Sequence, residues 1–467
     1  MKELRRNMRL VGALVVLMFV GLGVWFAMTA YTQGSLWASD VHNTRLSASN
    51  TLRGDITDRD GNLLATTAED GSRQYTQNTQ ARRALSQTVG DIAGMSGVGV
   101  ETFYSSQLMD ISTSLLDRLS ELTSGAEHVG SSIQLTIDGR LQAYISSQFP
   151  QGYSGAVCVT NYRTGEILAM VSKPDYDPYD IMSRSDAEVE DTAFLNRCLQ
   201  GRYTPGSVFK IVTLAAAVMN DPAVISQPFS CAGTWEYQGG RIVCAGNAAH
   251  GAVDLKAAFK RSCNVTFGKL AYQLGIDRLR AMAERFGFNE NFKFGDFVVY
   301  NSAFPQSGGI SELVWAGIGQ GQVLVTPLHM NLIAGTVANG GVMMKPMLVK
   351  RITNSLGVST AAGQATPYRQ ILSESAASKI AEYMYETVQS GTATRAQIGG
   401  YAVCGKTGSA EVSDDKTVET NAWFTGFIYD EAHPYAISVV IESGGAGARM
   451  PSELAAKALR AAMEYVG

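Results

Sequence analysis

Histidine is scarce in this 467-residue chain, with five in all and no two in an H-E-x-x-H arrangement. A zinc-peptidase helix of that kind is excluded. So small a supply also weakens a Ser-His-Asp route to a nucleophilic serine. Cysteine is almost as scarce: six residues, none forming a C-x-x-C. That excludes a disulfide scaffold in a chain this long and argues against zinc ribbons and thioredoxin-type motifs. Proline numbers only 12, and the 48 glycines follow no three-residue period. Collagen-like and proline-rich architectures fall away. Charged residues make up 17%, below the ~25% of an average globular chain. The net charge of −4 offers no global basic field for nucleic acid.

What is present is apolar residue, 45% of the chain, enough for a large core. At ~150 residues per domain, the length allows up to three units. Leu10 to Ala30 is a run of 21 residues without a charge. As a helix it reaches about 30 Å, one hydrocarbon core. Lys2, Arg5, Arg6 and Arg9 precede it against a single Glu3. The positive-inside rule therefore places residues 1–9 in the cytoplasm, 10–30 as one transmembrane anchor, and the rest outside. The run exceeds the ~7–15 residues of a signal-peptide core and no A-x-A site follows, so a retained anchor is expected.

The remainder has two textures. Residues 31–130 are polar, rich in Ser, Thr and Gly, and read as a small membrane-proximal module. Within it Asp58-Arg59-Asp60-Gly61-Asn62 marks a hairpin turn. Phe103, Leu108, Ile111, Leu115, Leu116 and Leu119 are spaced as an amphipathic helix over 101–122. From 131 to 467 the pattern changes. A strand and helix open it, and 155–172 reads as a hairpin with its turn at Tyr162 to Gly165. Helices are expected after Ser207 and near 255–260, 265–274, 278–286 and 328–337. Three strands and a last helix over 452–465 close the chain. Strands at both ends with helices between them predict an α+β fold, an antiparallel sheet flanked by helices.

Three short motifs carry chemistry. Thr204-Pro205-Gly206 makes a turn, and Ser207-Val208-Phe209-Lys210 follows it at a helix start. Positions i and i+3 share a face, so the lysine amine reaches the serine hydroxyl. Serine needs a base, and lysine serves only when burial or nearby positive charge lowers its pKa from ~10.4. Val208, Phe209, Ile211 and Val212 supply an apolar flank. A second Ser-x-x-Lys, Ser413 to Lys416, sits in an acidic polar loop and lacks that context. Ser262-Cys263-Asn264 lies between helical stretches; there Ser262 can relay a proton and Asn264 can hold Lys210 or a substrate amide. Alone, the same residues read as ordinary helix caps. Lys406-Thr407-Gly408-Ser409 ends an apolar strand. The lysine can bind a carboxylate or tune a neighbouring amine, Thr407 and Ser409 can bind a carboxylate, and Gly408 lets a ligand backbone approach. The N–H groups of Ser207 and Ser409 can form an oxyanion hole. Alone, Lys406 reads as a surface lysine in a strand-end turn. Gly400 to Thr407 also matches the P-loop pattern, but strand formers fill its middle and no helix follows, so nucleotide binding is not expected.

Taken in order, the three motifs resemble the signature of the penicillin-recognising serine acyltransferases, with Cys263 at the centre of the second. RGDITDRDGNLLA, LTIDGRLQ, TGEILAMVSKPDYDP, NRCLQGRYTPGSVFK, GIGQGQVLVTPLHM and KTGSAE narrow the resemblance to class B penicillin-binding proteins. It implies a peptidoglycan D,D-transpeptidase. Ser207 would attack the bond between two terminal D-Ala residues of a stem peptide, Lys210 would take its proton, and Ser262 would relay a proton to the leaving D-Ala. Lys406, Thr407 and Ser409 would hold the substrate carboxylate. β-Lactams would acylate Ser207, and no metal or organic cofactor is implied. The resemblance also implies a membrane glycosyltransferase of the SEDS family as partner. A D,D-carboxypeptidase and a non-catalytic wall-binding scaffold are the alternatives. Cys231 and Cys244 flank a polar loop, so either a disulfide between them or a pair of free thiols is open. Cys263 and Cys404 read as small buried thiols, and His250 as a loop histidine.

Overall fold

Five long strands carry the architecture of the computed structural model, which describes residues 7, 12–25, 28–29, 51–109, 128–182, 191–411, 419–445 and 449–466. They are β1 (Gly155–Asn161), β2 (Ile167–Lys173), β3 (Val403–Ala410), β4 (Asn421–Ile428) and β5 (Tyr435–Ile441). The order is β3-β4-β5-β1-β2, antiparallel throughout. β5 pairs with β1, Ile437 facing Val159, so the two ends of the domain meet mid-sheet. β3 is left as an edge.

The principal helices are α1 (Thr79–Val89), α2 (Gly139–Gln148), α3 (Lys210–Asn220), α4 (Asn264–Phe286), α5 (Pro327–Ala338), α6 (Glu374–Ser390) and α7 (Arg449–Tyr465). Side chains alternate across a strand, so each strand feeds two cores. Val157, Val159, Val439 and Ile441 pack with Leu141 and Ile145 of α2 and Leu454 and Leu459 of α7. Ala156, Cys158, Ala436 and Val440 turn the other way, into the core that holds α3, α4, α5 and α6. α5 is buried on every side, and its polar His329, Asn331 and Thr336 each find a hydrogen-bond partner inside. The α+β reading of the sequence matches this layered sheet.

Two expected helices, 265–274 and 278–286, run as one. α4 spans both, with a break at Gly275, whose φ is 76°. Over its described part, residues 101–109, the helix expected across 101–122 is two short pieces, Val100–Phe103 and Ser105–Leu108. Tyr104 leaves helical geometry between them, and its hydroxyl donates to Asp296. The Leu108 carbonyl accepts from Gly54 N–H at 2.9 Å instead of continuing a helix. Residues 110–127 lie outside the described residues. In the expected anchor, residues 12–25 are helical. Among the described residues no helix is long and apolar enough to cross a membrane, and the ends of the 10–30 run are not described.

The polar module is joined firmly to the rest. Ile56–Thr57 pairs in parallel with Ser132–Leu135, which also pairs with Val349–Thr353. The 130–131 junction thus opens into a sheet that both parts share. Arg82 clamps Asp177 with two bonds, Nε to Oδ1 at 2.8 Å and Nη2 to Oδ2 at 2.6 Å. Arg83 bonds Asp175 at 3.0 Å. Such planar, charge-assisted pairs fix orientation. Arg82→Ala leaves a largely buried carboxylate without its fork and is expected to destabilise the fold by about 2 kcal/mol. Equilibrium urea unfolding checks this; an unchanged midpoint would show that the clamp contributes nothing.

Candidate active site

Ser207 stands where a tight turn becomes a helix. Gly206 has φ of 56°, in the left-handed region. A Cβ there would lie 2.5 Å from the Ser409 carbonyl oxygen, so only glycine permits the turn to press against β3. Gly206–Phe209 is a 3-10 turn running directly into α3. In that geometry residues i and i+3 eclipse, which puts the Ser207 and Lys210 side chains on one face. Ser207 is half-buried and Lys210 fully buried.

The second motif meets Lys210 from the opposite side. Lys210 Nζ bonds the Ser262 carbonyl at 2.8 Å, Ser262 Oγ at 3.2 Å and Asn264 Oδ1 at 2.7 Å. Ser262 itself is left-handed, with φ of 57°. Its loop is held from both ends. Cys263 caps α4 by accepting from Thr266 N–H, and Asn264 Nδ2 donates to the Val243 carbonyl at 2.9 Å. The third motif completes the group, with Lys406 Nζ 2.9 Å from Ser262 Oγ. One hydroxyl therefore lies between two buried amines.

The surroundings decide the charge. Phe267 lies under Lys210 Nζ at 5.5 Å and Phe259 under Lys406 Nζ at 5.6 Å. Burial penalises the ammonium form and lowers Lys210 to about 7, against a weaker opposing pull from the nearby cysteines. Burial, and then the charge of Lys210, hold Lys406 well below the usual lysine range. Burial therefore makes a neutral Lys210 accessible near neutral pH. A neutral amine on the face of Ser207 is what a general base requires.

β3 lines the other side. Thr407 Oγ1 lies 2.6 Å from Thr392 Oγ1. Thr392, in the connection after α6, has no sequence signal; it lies 15 positions from its partner. A Cβ on Gly408 would come within 2.9 Å of the Pro205 carbonyl, so this glycine also serves the close approach of strand and turn. Trp423 on β4 donates to the Thr204 carbonyl at 3.1 Å and braces the same turn. Ser207, Lys210, Ser262, Asn264, Lys406, Thr407, Gly408 and Ser409 thus all belong to one turn, one loop and one strand edge. Within the P-loop lookalike, Val403 to Thr407 lie in β3, an extended strand. Ser413 to Lys416 lies outside the described residues. All six cysteines are free and buried, and Cys231 Sγ lies 3.6 Å from Cys244 Sγ.

Comparison with known proteins agrees with this geometry. Residues 155–464 match the family described as penicillin binding protein transpeptidase domain. The chain is 30% identical over 420 residues to the peptidoglycan D,D-transpeptidase PbpA of Mycolicibacterium smegmatis, covering 84% of each. It is 28% identical over 362 residues to the peptidoglycan D,D-transpeptidase MrdA of Escherichia coli, covering 68% of this chain and 56% of that protein. Among solved structures, penicillin-binding protein A of M. tuberculosis as its ceftriaxone acyl-enzyme superposes with a TM-score of 0.82 at 27% identity, covering 89% of this chain and 99% of that one. The D,D-transpeptidase domain from Eggerthella lenta gives 0.75 at 29% identity, covering 90% and 100%. The chain belongs to the penicillin-binding protein transpeptidase family. The class B resemblance read from the sequence is borne out.

The lysine chemistry has a definite pH signature. Lys210 is protonated below its pKa, so β-lactam acylation is expected to fall about tenfold per pH unit below about pH 7 and to level off above it. Stopped-flow labelling with a fluorescent penicillin measures this, and a flat profile would contradict it. Gly408→Val is expected to slow acylation on the order of 10²-fold by pushing β3 off the serine turn; an unaltered rate would show that the approach is not needed.

Proposed function

We propose that this chain cross-links peptidoglycan through an acyl-enzyme on Ser207. It is a serine D,D-transpeptidase by family. The observation that carries the residue roles is the meeting of Lys210 and Lys406 at one hydroxyl, Ser262, under the edge strand that bears Thr407, Gly408 and Ser409. Ser207 Oγ attacks the carbonyl between the two terminal D-Ala residues, and neutral Lys210 takes its proton. The N–H groups of Ser207 and Ser409 hold the oxyanion. The C–N bond then breaks, and the departing D-Ala amine receives a proton through Ser262. An amine of a second stem peptide attacks the Ser207 ester, forming the cross-link and returning the proton. Lys406, with the hydroxyls of Thr407 and Ser409, binds the terminal carboxylate, and Asn264 holds Lys210. A β-lactam enters the same path but leaves an ester that persists.

Residues 10–30 serve as the membrane anchor, with residues 1–9 cytoplasmic, residues 31–130 as the membrane-proximal module and residues 131–467 as the extracytoplasmic catalytic domain. The charge asymmetry around the apolar run supports this orientation. A SEDS-family glycosyltransferase, reached through anchor and module, supplies the glycan strands. The test is a product assay with a stem peptide ending in D-Ala-D-Ala and an amine acceptor. A cross-linked dimer with release of D-Ala, both lost in Ser207→Ala, is expected. Release of D-Ala with hydrolysed stem alone would assign a carboxypeptidase, and no release would leave a wall-binding scaffold.

A further inference from the structure

Three of the six cysteines gather beside the active site, joined by a histidine that the sequence alone marks as a loop residue. Cys231 Sγ lies 3.6 Å from Cys244 Sγ, Cys244 Sγ lies 3.7 Å from Cys263 Sγ, and His250 Nδ1 lies 3.4 Å from Cys231 Sγ. All four ligand atoms fall within 4.8 Å of one another. We propose that Cys231, Cys244, His250 and Cys263 hold a structural zinc ion that ties the Ser262–Asn264 loop to the segment preceding it.

The geometry favours a metal over a disulfide. Zinc–sulfur bonds of ~2.3 Å at tetrahedral angles set sulfurs ~3.8 Å apart, close to the 3.6 and 3.7 Å from Cys244 Sγ to its two neighbours, and the shorter zinc–nitrogen bond suits the 3.4 Å from His250 to Cys231. A disulfide would use two thiols and leave the third cysteine and the histidine unaccounted for. Each ligand comes from a different piece of local structure. Cys231 ends a short strand, Phe229–Cys231, whose partner strand begins at Gly251, directly after His250. Cys244 follows the hairpin strand Gly240–Val243, and its N–H donates to the Gly233 carbonyl. Cys263 caps α4. Donors are already aimed at the sulfurs. Gly233 N–H reaches Cys231 Sγ at 3.4 Å, and Thr266 N–H and Oγ1 reach Cys263 Sγ at 3.3 and 3.2 Å. Such outer contacts hold thiolate ligands in place.

Four protein ligands close the coordination sphere, which marks a structural rather than a catalytic site. Its placement gives it a task. Cys263 separates Ser262 from Asn264, the two residues that bond Lys210. The Asn264 amide is anchored on Val243, next to Cys244. An ion joining Cys244 to Cys263 therefore fixes the left-handed Ser262 loop against the hairpin from both sides.

The test uses the full 467-residue chain, purified in detergent without chelator from zinc-supplemented culture. Elemental analysis is expected to find about one zinc per chain after dialysis. Ser207→Ala is expected to keep its zinc, which separates this site from the catalytic reading. Cys231→Ser and His250→Ala are expected to lose it, and cobalt in place of zinc should show thiolate-to-metal charge-transfer absorption that Cys231→Ser lacks. Zinc below ~0.1 per chain in the unaltered protein would overturn the proposal. So would peptide mapping that finds any two of the three cysteines joined as a disulfide.

Discussion

One hydroxyl, Ser262 Oγ, lies 3.2 Å from Lys210 Nζ and 2.9 Å from Lys406 Nζ, and the rest of the catalytic half is arranged around that contact. Two buried ammonium groups so close together are unfavourable, and burial pushes both towards the neutral state. The fold must hold them there against that tendency. It does so with α3, which brings Lys210 from below, with the Ser262 loop at the start of α4, and with β3, which brings Lys406 from the sheet. Phe259 and Phe267 keep water from the amines. A serine next to such a lysine becomes a nucleophile without any histidine, which is why a histidine-poor chain can perform acyl transfer.

The approach of three elements to a single point depends on residues that have no side chain. Gly206 and Gly408 let the serine turn and the edge strand meet backbone to backbone, and Trp423 braces the turn from β4. Because β3 is an edge, its outer side is available to an extended peptide. The N-terminal module shares a sheet with the catalytic domain and is clamped to it through Arg82 and Arg83.

Much of this was legible in the sequence. Two continuous apolar segments about the polar turn at Tyr162 to Gly165 marked β1 and β2, and the apolar run after Ser207 marked α3. The three motifs stood out through residue type and order, since a lysine three positions after a serine has a definite consequence on a helical turn. Less local features were not legible. Thr392 touches Thr407 only because the connection after α6 returns to β3. The cluster at Cys263 is spread over a strand end, a hairpin and a helix cap, so no short ligand spacing announced it. The break at Tyr104 follows from tertiary partners, Asp296 and Gly54, that outweigh an amphipathic pattern.

Peptide mapping of the adduct formed with benzylpenicillin tests the central claim most directly. The account predicts the penicilloyl ester on Ser207 alone, and no adduct on a folded Lys210→Met chain. An adduct on any other serine, or an undiminished one without the Lys210 amine, would contradict it.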